Sequence, residues 1–210
     1  MRMRRKPNLD ARIEKCAHLI VAQPEALLGI WLEDSRLSEL HIELGCGKGR
    51  FTVETAKAAP DILYAAFEKT ANVLVIALER AERERLQNVR FANAFVEDIE
   101  ECFAPGEVSR IYLNFPDPWP SNRHAKRRLT AQSFLEKYAR ILRPGGEIHF
   151  KTDNLPLFEY SLCEFERSRF RLLEETRDLH KNGPTGAMTD YEQKFFSMGM
   201  PIYQCLVQLV

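Results

Sequence analysis

The chain alternates short apolar runs with stretches in which apolar residues recur every three or four positions. That alternation predicts strands and helices in turn. Ile13, Ala17 and Ile20 stand at helical spacing, so residues 11–22 are expected to form a leading amphipathic helix. Residues 40–44 are an apolar run that stops at Gly45 and read as a first strand, and a helical pattern resumes over 50–58. Residues 61–67 read as a second strand. Leu74, Ala77, Leu78 and Ala81 mark the inner face of a helix whose far end is heavily charged. Residues 88–92 and 108–114 give the third and fourth strands. Over 130–142, Phe134, Leu135, Tyr138, Ile141 and Leu142 share one side of a helix. Thr130 or the Ser133–Glu136 pair opens it, and Arg143-Pro144-Gly145-Gly146 ends it. Residues 147–152 form a fifth strand, and Phe158, Leu162 and Phe165 stripe another helix. Residues 170–179 and 202–209 supply the last two strands, with a long loop expected between them. The expected fold is α/β, a Rossmann-like, mostly parallel seven-stranded sheet with helices on both faces and ligands at the carboxyl ends of the strands.

The polar residues at those strand ends carry the candidate chemistry. His41-Ile42-Glu43-Leu44-Gly45-Cys46-Gly47-Lys48-Gly49 lies where the first strand turns into its helix, and its glycines let a ligand approach the main chain. The spacing is G-x-G-x-G rather than the G-x-G-x-x-G of dinucleotide sites, and Glu43 before it would repel a pyrophosphate. A carboxylate there suits a ligand with a positive charge and an amino group. Glu68 ends the second strand, where an acid can accept from ribose hydroxyls, and Asn93 ends the third, where an amide can meet an adenine edge. Glu97 and Asp98 read as solvated helix charges. Glu43, Gly45, Gly47, Gly49, Glu68 and Asn93 in register favour S-adenosylmethionine over a nicotinamide.

The fourth strand ends in Asn114-Phe115-Pro116-Asp117-Pro118-Trp119-Pro120, whose three prolines predict a rigid, extended loop presenting Asp117 beside two aromatic rings. Arg123-His124-Ala125-Lys126-Arg127-Arg128 follows at once and reads as a phosphate-binding run. Asp153, after the fifth strand, and Thr189-Asp190-Tyr191-Glu192, in the long loop, are expected at the same rim. There an Asp and a Glu would accept from N1–H and N2–H of guanine and leave N7 facing the cofactor. The plain alternative for this tetrad is a hairpin loop with capping residues.

Composition adjusts this picture in one respect. The 210 residues fit a single domain, 1–210, with a short basic N-terminal arm at about 1–9; 45% are hydrophobic and 29% charged, as in ordinary globular chains. Thirty basic residues balance thirty acidic ones, which on its own argues against a nucleic-acid partner. Patterning reverses that inference. Residues 1–15 hold six basic and two acidic residues, and residues 120–143 hold seven basic and one acidic. Positive charge is gathered at the arm and beside the acidic loop. No run of about 18 apolar residues occurs, so no membrane span is expected. His18, Gln23 and Glu25 interrupt the segment that a secretory leader would need to be apolar. Five scattered cysteines without C-x-x-C fit free thiols in a reducing cytoplasm and no metal site.

The motifs H-I-E-L-G-C-G-K-G, F-E, N-F-P-D-P-W-P, R-H-A-K-R-R-L, H-F-K-T-D-N, T-D-Y-E-Q-K-F and G-M-P-I-Y, with the basic start M-R-M-R-R-K-P, carry a resemblance that runs end to end. The chain resembles the bacterial tRNA (guanine-N7-)-methyltransferases, which methylate the guanosine at position 46 in the tRNA variable loop. The resemblance implies a class I S-adenosylmethionine-dependent methyltransferase acting on tRNA as a cytoplasmic monomer or homodimer. It implies that Glu43, Glu68, Asn93 and Asp117 line the cofactor site, with Asp117 catalytic. It also implies that Ser121, Arg123, His124, Lys126, Arg127, Arg128, Asp153, Thr189, Asp190, Tyr191 and Glu192 lie along the substrate path. Two departures stand out: Ser121 occupies a position usually held by lysine, and Asn93 one often held by aspartate. Two readings remain beside this one. One is an exocyclic-amino methyltransferase, whose Asp/Asn-Pro-Pro-aromatic loop is chemically close to residues 114–119. The other is a non-catalytic RNA-binding protein on the same fold.

Overall fold

The computed structural model describes residues 6–33 and 37–210; the first five residues of the basic arm lie outside the described residues. Seven strands form one sheet: β1 (Glu39–Leu44), β2 (Ile62–Phe67), β3 (Val89–Ala92), β4 (Val108–Asn114), β5 (Leu142–Thr152), β6 (Phe170–Thr176) and β7 (Tyr203–Leu209). Their order is β3-β2-β1-β4-β5-β7-β6, with β7 antiparallel to both of its neighbours and the other pairings parallel. The order reverses direction between β1 and β4, and in open α/β sheets ligands bind at such a switch point.

Parallel strands covered on both faces read as continuous apolar runs, and β2 (I-L-Y-A-A-F) is one. Leu40, Ile42 and Leu44 of β1 face a core formed with α4 (Gln132–Ile141) and α5 (Leu155–Glu166) through Phe134, Tyr138, Phe158 and Phe165. Tyr64 and Ala66 face the opposite core, formed with α2 (Arg50–Ala58) and α3 (Ala71–Arg83). His41 and Glu43, at odd-numbered β1 positions, point to this second side, which puts a carboxylate inside the protein at the strand end.

The elements depart from the sequence reading in four places. The leading helix is short: α1 (Leu9–Glu14) gives way to a 3-10 turn, Ala17–Leu19. The chain leaves the helix because Ile20 bridges to Phe91 and the Val21 N–H bonds the Phe91 carbonyl, extending the β3 edge. Neither Thr130 nor Ser133 caps α4; Ala131 holds the cap position, and the Thr130 hydroxyl bonds that of Ser161 at 2.7 Å. The fifth strand starts earlier than expected because Leu142 pairs with Val108, after which the register shifts. The long segment before β7 is not all loop: residues Asp190–Ser197 form a helix, α6.

Candidate functional site

Two cavities open at the carboxyl ends of β1, β2, β4 and β5. The first, of about 640 Å³, is lined by Glu43, the glycine loop, residues 114–118, residues 152–154 and residues 189–191. The second, of about 570 Å³, is lined by Phe67, Glu68, Lys69, Val96, Trp119 and Arg127, among others. Gly45 and residues 114–117 border both, so the Pro-Asp-Pro loop stands at their junction.

The glycine loop turns through left-handed backbone at Gly45 (φ 84°), Gly47 (φ 57°) and Gly49 (φ 70°). A Cβ on Gly45 or Gly47 would stand in open space, and both glycines line the first cavity. A Cβ on Gly49 would sit 2.4 Å from the Ala77 Cβ, so this third glycine is also what lets α2 start against α3. Glu43 is buried, accepts from the Thr52 hydroxyl, and accepts from Asn114 Nδ2 at 2.9 Å. Burial pushes its carboxyl up, opposed by those two hydrogen bonds and by the charge of Lys151. Asn114 Oδ1 is buried with no partner, an acceptor left open at the first cavity. Glu68 accepts from the Gly47 N–H at 3.2 Å and the Thr70 N–H at 2.8 Å, which ties the glycine loop to the end of β2. Asn93 lines neither cavity. Its Nδ2 donates to the Glu68 carbonyl at 2.7 Å, which braces β3 against β2.

The loop after β4 is not extended throughout. Phe115 (φ 52°) and Trp119 (φ 42°) adopt left-handed backbone, which is costly for bulky residues and turns the chain at both ends of Pro-Asp-Pro. Arg128 holds this shape. It is buried and donates to the Pro118 and Trp119 carbonyls at 3.1 and 3.0 Å, and its guanidinium lies 4.2 Å from the centre of the Tyr160 ring. Two of its donor nitrogens, Nε and Nη2, are thereby engaged inside the protein. Arg123, Lys126 and Arg127 remain exposed, with Arg127 4.9 Å over the Trp119 ring and His124 packed against the same ring at 5.8 Å. Ser121 is exposed and opens the 3-10 turn Asn122–Arg127. Asp117 is exposed at the junction, with Lys69 Nζ 3.9 Å away.

The Thr-Asp-Tyr-Glu tetrad opens α6 as a capping box: Thr189 Oγ1 takes the Glu192 N–H at 2.9 Å and Glu192 takes the Thr189 N–H at 3.2 Å. Glu192 is fully buried, with Lys151 Nζ at 3.1 Å and His180 Nε2 at 2.9 Å from one carboxylate oxygen. Asp190 forms a two-point ion pair with Arg80 at 2.7 and 3.0 Å, which holds its carboxyl below the usual range against the opposing effect of burial. Glu192, expected to accept from a substrate base, takes a lysine, a histidine and a backbone N–H of the protein itself. Asp153 lies in the first cavity, half-buried. The structure adds Asn114, Lys151, His180 and Arg80 to this region. Asn114 and Lys151 were readable as polar strand ends; His180 and Arg80 carried no sequence signal.

Among the described residues no group of three His, Cys, Asp or Glu side chains stands together as a metal site, and no helix is long and apolar enough to cross a membrane. Cys16, Cys46, Cys102 and Cys205 are buried free thiols, and Cys163 is exposed.

The fold has many solved counterparts. It matches TrmN from Thermus thermophilus with a TM-score of 0.60 at 20% identity, over 89% of this chain and 48% of that one, so the chain spans about half of TrmN's length. The 16S rRNA methyltransferase KamB matches with a TM-score of 0.65 at 15% identity, over 83% and 89% of the two chains. A SAM-dependent methyltransferase from Aquifex aeolicus matches with a TM-score of 0.59 at 13% identity, over 94% and 98%. At these identities the likeness establishes the Rossmann-like methyltransferase fold. A family model described as "Putative methyltransferase" matches residues 38–205, from the start of the sheet to its last strand and across both cavities. The chain therefore belongs to that methyltransferase family, the family of the tRNA m7G methyltransferases.

Proposed function

We propose that the protein transfers the methyl group of S-adenosylmethionine to N7 of a guanosine in the tRNA variable loop. The observation that supports this most directly is the meeting of the two cavities at Asp117, because their joint lining brings residues suited to the donor (Glu43, the glycine loop, Glu68) and to the acceptor (Asp153, Arg127) around one point, as a transferase requires. The donor fits the residues present. Glu43 and the unpartnered Asn114 Oδ1 suit an ammonium group, the open backbone at Gly45 and Gly47 admits close approach, and Glu68 on the second cavity suits ribose hydroxyls. When bound, S-adenosylmethionine supplies an electrophilic methyl carbon on a positively charged sulfur.

Guanine N7 has a lone pair and no proton, so the protein needs no general base at the junction. The tasks left to its side chains are alignment and stabilisation of the positive charge that grows on the base. Both are assigned to Asp117, and its place on the lining of both cavities supports that assignment. Asp153 is the remaining carboxylate of the first cavity without an internal partner among the described residues, and it is assigned the N1–H and N2–H donors. Arg123, Lys126 and Arg127, exposed beside the second cavity, are assigned the RNA phosphates. That KamB, which shares this fold, is a 16S rRNA methyltransferase supports an RNA substrate. A tRNA substrate and reduced thiols fit the cytoplasm.

The test is incubation of the protein with labelled S-adenosylmethionine and bulk unmodified tRNA, followed by nucleoside analysis. 7-Methylguanosine is the expected product. A methyl group on an exocyclic nitrogen would move the assignment to the amino-methylating class. Cofactor binding without any methylated tRNA would overturn the reading.

A further inference from the structure

The four residues that open α6 divide into two kinds. Three are committed to the protein itself: Thr189 to the cap, Asp190 to Arg80, and Glu192 to Lys151 and His180. Tyr191 is not. Its ring lines the first cavity, is 56% exposed, and is the one large exposed hydrophobic side chain there. It is also held on two sides. Phe115 stands 6.0 Å away, centre to centre, with the planes tilted by 46°, and Phe195, one helical turn on, stands edge-to-face at 4.8 Å. The left-handed backbone at Phe115 is part of the turn that leads into Pro-Asp-Pro, so one turn of chain supplies both Asp117 and an aromatic neighbour for α6. The two ion pairs and the capping box fix α6 against α3 and β5, which fixes the height of the Tyr191 ring above the cavity.

We propose that Tyr191, steadied by Phe115 and Phe195, is a stacking platform for the unpaired purine base that enters the first cavity. This rests on the reading of the protein as an RNA base methyltransferase. A base drawn out of its helical stack loses its neighbours, and an exposed aromatic ring restores a stacking face without reading the sequence. Division of labour within the cavity follows: Tyr191 holds the plane of the base, while Asp153 and Asp117 address its edges.

The test compares the wild type with Tyr191→Leu, which keeps apolar bulk but has no π face, and Tyr191→Phe, which keeps the ring. The first readout uses the cofactor-free protein and a single-stranded RNA oligonucleotide carrying one 2-aminopurine, whose fluorescence falls on stacking. The second is kcat/KM for methylation of tRNA. Tyr191→Leu is expected to abolish most of the quenching and to lower kcat/KM by about 10-fold to 100-fold. Tyr191→Phe is expected to retain most of both signals. Because the ring is exposed, melting temperatures should be nearly equal, which separates this effect from misfolding. Wild-type quenching and turnover in Tyr191→Leu would overturn the platform, and so would equal losses in the two variants, since the hydroxyl rather than the ring would then be at work. If no RNA is methylated by the wild type, the quenching comparison still decides the platform while the proposed reaction fails separately.

Discussion

Replacing Glu192 by alanine removes the centre of a buried polar cluster, and the structure sets the size of the effect. Glu192 has no exposed surface, and Lys151 and His180 are 7% and 6% exposed. Without the carboxylate, the Lys151 ammonium keeps the Ala187 carbonyl at 3.5 Å, the Phe51 ring at 5.6 Å and the longer-range charge of Glu43, with no carboxylate in contact. Breaking a buried ion pair from one side costs about 3–5 kcal/mol, because the remaining charge is desolvated and uncompensated. For a chain of this length each kcal/mol moves the melting temperature by about 2–4 °C, so a fall of roughly 6–20 °C is expected in thermal unfolding followed by circular dichroism. Hydrogen exchange over residues 190–197 should rise in parallel, because the carboxylate's half of the α6 capping box, the bond from the Thr189 N–H, is lost with it. The pair Lys151→Met, Glu192→Gln should be milder than Glu192→Ala, since no buried charge is left alone. A Glu192→Ala protein that melts within a degree or two of wild type, but has lost RNA affinity, would refute the reasoning and return Glu192 to the substrate.

Four further outcomes follow from the same geometry. Asp117→Asn should lower kcat while leaving tRNA affinity nearly intact, as measured by single-turnover methylation beside filter binding; wild-type turnover would remove Asp117 from the reaction. Arg123, Lys126 and Arg127 replaced together by alanine should weaken tRNA binding and reduce the slope of log affinity against log salt by up to about 3. Arg128→Ala should instead destabilise the fold by about 2 kcal/mol, because its hydrogen bonds are to the protein's own carbonyls. Burial and the charge of Arg110 bring the His149 imidazole down to about 4, against the pull of Glu147. The unfolded chain therefore binds a proton that the folded chain refuses, and stability should fall as pH drops from about 6.5 to about 4. A His149→Leu variant should flatten that part of the urea-midpoint profile, and an unaltered slope would assign it to other groups.

Most of the sheet was readable because a strand buried on both faces has no choice but to be apolar, and runs such as 62–67 cannot be taken for anything solvated. The helices over α2, α3, α4 and α5 were readable for a related reason: each buries one stripe, so periodicity reports the face. α6 breaks that rule. Its only fully buried side chain is Glu192, a carboxylate, while Tyr191 and Lys194 face outward and Phe195 and Phe196 are half-covered. The apolar period there, Tyr191, Phe195 and Met198, marks a stripe that is largely exposed rather than buried, and the signal for the helix start is the spacing of Thr189 and Glu192, a capping box. The same inversion shows in two charged residues of the motifs. A charged residue in a motif is taken to face a ligand, yet Arg128 and Glu192 are charged because the backbone they support needs strong donors and acceptors in the interior. Arg128 satisfies two carbonyls of a strained turn, and Glu192 gathers Lys151, His180 and its own cap. Neither partner set is near its residue in the chain except for the turn itself, so only the folded arrangement distinguishes a residue that supports the site from one that meets the substrate. Tyr191 lies between two such supporting acids, and their commitment to the interior is what leaves its ring at the cavity.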